Sequence, residues 1–159
     1  MNIIRTKLKD CVIIEPKLFS DARGFFIETF QADRYANLAN ITLPFVQDNH
    51  SHSSKGVLRG LHFQKTKPQG KLVRVVHGNI LDVAVDIRIG SPTFGQHHIV
   101  ELSAENKKMF FVPEKTPKCL LIEVAVIAKM KRLCIFLRTV MTCLLKNIKL
   151  FQQLLLTLV

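Results

Sequence analysis

Between residues 79 and 87 the chain alternates without a break: Ile80, Asp82, Ala84 and Asp86 interleave with Leu81, Val83, Val85 and Ile87. Such a period of two belongs to an extended strand, with one apolar face and one face carrying two carboxylates. A polar face on a strand this apolar predicts that the strand lines something. Further short extended segments are expected over 11–15, 24–30, 45–50, 56–62, 71–77, 96–102 and 109–112, separated by turn residues. His77-Gly78-Asn79 reads as a hairpin turn and Gly90-Ser91-Pro92 as a loop. Helical character is confined to 33–38 and the turn 103–106. Many short strands with so little helix predict an all-β fold, an antiparallel jelly roll.

At 159 residues and 48% apolar content the chain can bury one core but not two full-sized ones, and it is too apolar for a disordered chain. The net charge of +11 is unevenly placed. Residues 1–114 carry 15 Lys and Arg against 11 acids; residues 115–159 carry 8 against the single Glu123. All seven glycines and the only tyrosine, Tyr35, precede residue 115, whereas Cys119, Cys134 and Cys143 follow it. This divides the chain into a body, 1–114, and a basic apolar tail, 115–159. The tail lacks interleaved Tyr or Trp for base stacking, so no nucleic-acid partner is expected. Lys129, Lys131, Arg132, Arg138, Lys146 and Lys149 interrupt its apolar runs, and residues 1–10 hold no apolar signal core, so neither a membrane span nor an export signal is expected. Four cysteines without a CxxC spacing predict buried reduced thiols, and with them a cytoplasmic location.

Polar residues that bind anions or move protons gather near expected strand ends. They fall in DARGFFIE (21–28), VQDNH (46–50), VLRGLHFQ (57–64) and PQGKLVR (68–74). Arg23, Arg59 and Lys71 suit phosphate oxygens, the guanidiniums as planar forks and the ammonium as a point charge. Gln47 and Asn49 suit sugar hydroxyls or a base edge. On a regular strand over 57–62, Leu58, Gly60 and His62 share one face and Arg59 lies opposite, unless Gly60 hosts a bulge.

The segments VQDNHSHSSKGVLRGLHFQ (46–64), PQGKLVRVVHGNILDVAVDIRIGSPTFGQ (68–96) and ELSAENKKMFFVPE (101–114), preceded by DARGFFIETF (21–30), resemble the dTDP-4-dehydrorhamnose 3,5-epimerase family. The resemblance implies a cupin-like double-stranded β-helix jelly roll, a homodimer sharing binding residues between protomers, and chemistry that needs no cofactor and no metal. It implies a dTDP-linked 4-keto-6-deoxyhexose substrate, with His62 as the base and Lys71 beside the enolate oxygen. Arg23 and Arg59 match contacts to the diphosphate and sugar, and Glu28, Gln47, Asp48 and Asn49 match other substrate contacts.

After Glu114 the chain departs from that pattern. Lys115-Thr116-Pro117-Lys118-Cys119-Leu120 stands where the family has Gly-Phe-Ala-His-Gly-Phe, and no tyrosine follows Tyr35 to match the family's proton donor. A replacement tail and a shifted reading frame both explain this. Residues 131–149 can be back-translated so that the neighbouring frame carries the family's Leu-Tyr, Tyr and Glu-His landmarks in order. On the second account the jelly roll lacks its last strands; strand character over 120–128 and helical character over 148–158 are then what the tail can offer the body. Two functional readings follow from the residues: an epimerase impaired by loss of the tyrosine acid, or a module that binds the sugar nucleotide without turning it over. A metal cupin built on His50, His52, His62, His97 and His98 is a third reading, disfavoured by Lys55 where a ligating acid would help.

Overall fold

A computed structural model of the chain describes residues 1–42, 44–63 and 68–114 in full, and residues 121–127 as backbone. Met1–Ile127 forms one compact unit. Its strands are β1 (Asn2–Arg5), β2 (Val12–Glu15), β3 (Leu18–Asp21), β4 (Gly24–Ile27), β5 (Leu58–His62) and β6 (Lys71–Arg74). There follow β7 (Asn79–Asp86), β8 (His97–Ser103), β9 (Met109–Val112) and β10 (Leu121–Ile127), with one helix, α1 (Ala32–Ala39), after β4. Two four-stranded antiparallel sheets result, in the orders β1-β2-β9-β6 and β5-β10-β7-β8, while β3 and β4 pair only with each other among the described residues.

Cross-strand register shows which side of the first sheet faces the second. Ile13, Phe110 and Val73 lie in one row, and Val12, Phe111 and Leu72 in the next. The first row joins Leu8, Cys11 and Val112 against Ala84, Val100, Leu102 and Ile80 of the second sheet, forming the core between the layers. The second row faces outward and packs with Ile14, Met109, Tyr35 and Ile41. There α1 lays Tyr35, which is fully buried and donates its hydroxyl hydrogen to the Thr29 carbonyl at 2.8 Å. Gln31 caps the helix by accepting from the Arg34 amide, and Asn40, left-handed at φ 57°, ends it.

The sheets are joined at a corner that the sequence reads differently. His77-Gly78-Asn79 is not a hairpin turn, because β6 and β7, on either side of it, belong to different sheets. Gly78, at φ 73°, bends the chain from one layer to the other. The segment 45–50 is likewise not a strand. Phe45 is held edge-on between Phe30 and Phe111 at 5.2 and 6.5 Å, and Gln47 turns its amide onto Asn49 at 3.1 Å. The 103–106 segment is a turn rather than a helix, with Asn106 and Ser103 exchanging side-chain to backbone bonds. Strand character over 120–128 is realised as β10, whereas the helix expected over 148–158 lies outside the described residues.

The two carboxylates of β7 turn inward with Ala84, and both are buried. At Asp86 the reason is a closed polar network rather than a ligand surface. Arg88 donates through Nε at 2.7 Å and Nη2 at 2.6 Å, and the hydroxyls of Ser91 and Thr93 donate to the same carboxylate at 2.6 and 2.5 Å. Arg88 also reaches the Lys9 carbonyl at 3.1 Å and Asp10 at 3.6 Å, tying the loop after β7 to the one before β2. Burial pushes the Asp86 carboxyl up, but these donors outweigh it and hold its pKa at about 2. The folded pKa lies below the unfolded one, so this stabilisation is complete above pH ~4 and lost as pH falls towards 2, an effect of about 2 kcal/mol. Asp86→Asn should cost about 3–5 kcal/mol at pH 7, because it strands a buried guanidinium. Urea unfolding at pH 7 and between pH 4 and 2 checks both expectations.

Candidate active site

β5 is the outer strand of the second sheet, and its pairing with β10 is irregular. His62 faces residue 123 and Arg59 faces residue 125, so three steps along β5 match two along β10. That mismatch is a bulge, and Gly60 inside it has φ 108°, a conformation a β-carbon would strain. Its effect is to bring Arg59 and His62 onto the same face, where a regular strand would oppose them. Residue 123 also faces Ala84, and residue 125 faces Asp82. Ala84 packs into the core between the layers, so the shared face is the inner one. Both side chains are exposed, since β5 lies at the sheet's open margin.

Lys71 occupies the matching side of the first sheet. It begins β6 opposite Val112, two residues before Val73, and both valines belong to the interlayer core. Gly70, just before it, is a close approach: a β-carbon there would stand 3.0 Å from the Glu114 backbone nitrogen. The inner faces of the two edge strands β5 and β6 thus carry an imidazole, a guanidinium and an ammonium. Arg59 additionally donates to the His52 carbonyl at 3.0 Å, which fastens the 45–54 loop to β5. Gln47, Asp48 and Asn49 are exposed on that loop.

Arg23 and Glu28 are not gathered with these groups. Arg23 stands in the two-residue turn joining β3 to β4, where Asp21 accepts from its amide at 2.8 Å and from its guanidinium at 2.6 Å. This exposed pair lowers the Asp21 carboxyl pKa and raises that of Arg23. Glu28 leaves β4 and accepts from Arg34 on α1 at 2.8 Å. Neither countercharge stands out as a site residue in the sequence. Asp21, two residues before Arg23 at a tight turn, carries the signal of an Asx turn; Arg34 carries none. Leu18, Phe19, Phe25 and Phe26 leave this hairpin with a large exposed apolar surface, Phe26 being 69% exposed. Lys107 sits over the Phe25 ring at 4.4 Å from its centre.

His97 and His98 do not join His50, His52 and His62. His98 lies against Phe110 at 6.1 Å, and burial followed by the nearby Lys7 charge lowers the pKa of both rings. Among the described residues no three His, Cys, Asp or Glu converge on one point. Cys11 is a buried free thiol whose pKa burial pushes up to about 12, so it is part of the packing. Cys119, Cys134 and Cys143 lie outside the residues whose side chains are described. No described helix is long and apolar enough to cross a membrane.

Two antiparallel sheets closing on one core, with polar chemistry at their open margin, define a cupin-like jelly roll. The family model for dTDP-4-dehydrorhamnose 3,5-epimerase matches residues 5–125. The dTDP-4-dehydrorhamnose 3,5-epimerase of Shigella flexneri is 55% identical over 115 residues, 72% of this chain and 64% of that protein. The one from Methanothermobacter thermautotrophicus is 53% identical over 113 residues, 71% of this chain and 60% of that protein. Among solved structures, dTDP-6-deoxy-D-glucose-3,5-epimerase from Legionella pneumophila, in complex with dTDP-4-keto-L-rhamnose, aligns with TM-score 0.75 and 53% identity over 80% of this chain and 65% of that one. A 3'-monoepimerase from Streptomyces bikiniensis in complex with dTDP-quinovose aligns with TM-score 0.62 and 30% identity, over 79% and 68%. The chain belongs to the dTDP-4-dehydrorhamnose 3,5-epimerase family, and spans a little under two thirds of the length of the two curated relatives named above.

Proposed function

We propose that the chain acts on a dTDP-linked 4-keto-6-deoxyhexose, dTDP-4-dehydro-6-deoxyglucose, and inverts C3 and C5 through an enolate to give dTDP-4-dehydrorhamnose. The observation that carries the reading is the bulge in β5, which puts Arg59 and His62 on one inner face. A ketone at C4 makes the hydrogens on C3 and C5 labile. His62, unprotonated, removes one of them; the carbon–hydrogen pair becomes the C=C bond of the enolate, whose charge settles on the C4 oxygen. Lys71 stabilises that oxygen from the facing edge strand, in the manner of an oxyanion donor. Arg59 and Arg23 hold the diphosphate, while Gln47, Asp48, Asn49 and Glu28 orient sugar and base. A water proton delivered to the opposite face of the enolate re-forms the carbon–hydrogen bond and completes the inversion, while His62 returns its proton to solvent. The Legionella complex and the family match support the substrate class.

The test is incubation of the full chain with this 4-keto sugar nucleotide in heavy water, followed by NMR. Deuterium at C3 and C5 supports the epimerase, and deuterium at C3 alone makes it a monoepimerase like the Streptomyces protein. No incorporation, with saturable dTDP heat in calorimetry, leaves the second reading, a binding module without turnover. The missing tyrosine donor favours that second reading. The buried free thiol of Cys11 supports a reducing, cytoplasmic setting.

The working form in this reading is a homodimer. A hairpin that, among the described residues, pairs only with itself, with four large apolar side chains exposed, is a surface that a second copy covers. Arg23 at its tip, and Glu28 where the hairpin ends, then serve the partner's site rather than their own. Phe26→Ser should shift the chain from dimer to monomer in sedimentation velocity; an unchanged wild-type monomer would remove the dimer from the account.

A further inference from the structure

Residues 44–54 form neither strand nor helix, so no backbone ladder places Gln47, Asp48 and Asn49. Side chains hold the segment instead, near each end. After α1, Ile41 is buried beside Tyr35 and its amide donates to the Tyr35 carbonyl at 3.2 Å. Pro44, with its fixed φ, then leads into Phe45. The Phe45 ring stands edge-to-face on Phe30 at 86° and on Phe111 at 90°, the arrangement that ring quadrupoles favour. Phe111 is the register partner of Leu72, and Lys71, one residue earlier, lies on the opposite face of β6. At the far end of the loop, the His52 carbonyl accepts from the Arg59 guanidinium of β5. The loop is therefore tied to the β9–β6 pair at one end and to β5 at the other, the two margins that carry Lys71 and His62.

We propose that Phe45 is a positioning residue: seated between Phe30 and Phe111, its ring sets the 45–54 loop so that Gln47, Asp48 and Asn49 meet the nucleotide that Arg59 holds. A loop ordered before the ligand arrives loses little further freedom on binding, whereas a loop released from this slot has to be ordered by the ligand itself. His62 and Lys71 stand on strands, so their placement does not depend on the slot. Phe45 therefore governs affinity and leaves the chemical step alone. The assignment rests on the loop's role in the proposed function, so the experiment begins with a readout that needs no ligand.

Nitrogen-15 relaxation of the full, ligand-free chain reports the order of the 47–49 amides. Order parameters near ~0.85 are expected in the unaltered chain and below ~0.6 in Phe45→Ala. Val46→Ala, which removes a neighbour that is 91% exposed, should change nothing. In calorimetry Phe45→Ala should weaken dTDP binding about tenfold, the scale set by losing two edge-to-face contacts. With the 4-keto sugar nucleotide in heavy water, its KM should rise about as much while the exchange rate at saturation stays within roughly twofold. Phe45→Leu fills the slot without a ring and should give an intermediate loss of order and affinity, and it carries the test if the alanine variant does not fold. A purely structural role would lower the unfolding midpoint and leave affinity and KM unchanged. That result, a loop already flexible in the unaltered chain, or order unchanged in Phe45→Ala overturns the proposal. An unaltered chain that does not bind dTDP, with a loop that Phe45→Ala releases, would instead count against the proposed function while upholding the hold of Phe45 on the loop.

Discussion

His62→Ala should lower deuterium incorporation at C3 and C5 by about 10²–10⁴-fold, the span over which a positioned general base acts. The same variant should keep its affinity for dTDP, because the nucleotide and diphosphate are assigned to Arg59 and to Gln47, Asp48 and Asn49 of the 45–54 loop. Fold integrity is not at stake, since the ring is exposed at the end of an edge strand and belongs to neither core cluster. Comparing isothermal titration with dTDP against the exchange rate separates the two roles. Equal loss of binding and exchange would make His62 a binding group, and unchanged exchange would remove it from the chemistry.

Gly60→Val should be nearly as damaging without touching any group that meets the substrate. Its φ of 108° lies where a β-branched residue is strongly disfavoured. A valine there drives β5 towards regular pairing. In a regular strand Arg59 and His62 fall on opposite faces, so the base and the guanidinium can no longer act on one molecule. Exchange should fall about a hundredfold or more, comparable to misplacing a catalytic group by an ångström. Affinity for dTDP should fall with it, in contrast to His62→Ala. Normal exchange and normal binding in Gly60→Val would show that the bulge is incidental.

The sequence discloses the two parts of this arrangement unequally. Met109–Val112 is readable as a short continuous apolar run and β7 by its alternation, because both sheets need those residues in the core. β1 and β3 escape notice: each has only four residues and depends on a partner, β1 on β2 across a Thr6-to-Cys11 turn and β3 on β4 across Ala22-Arg23. The polar face of β7 suggests a lined cavity, yet Asp86 is consumed by Arg88, Ser91 and Thr93, two of which lie beyond the nearest turn residue. Periodicity cannot anticipate that a loop will fold back to supply donors. For Arg59 and His62 the residue types are legible, but their shared face is not. Spacing alone leaves both faces open, and only the pairing with β10 decides between them.

One molecule of sugar nucleotide is expected to span the inner margin between β5 and β6. A crystal structure of the full chain with dTDP tests it most directly. Diphosphate oxygens should lie within hydrogen-bonding distance of the Arg59 guanidinium, with the space beyond the last phosphate opening onto His62 and Lys71. Density for dTDP elsewhere, or a His62 ring turned away from the diphosphate, would contradict it.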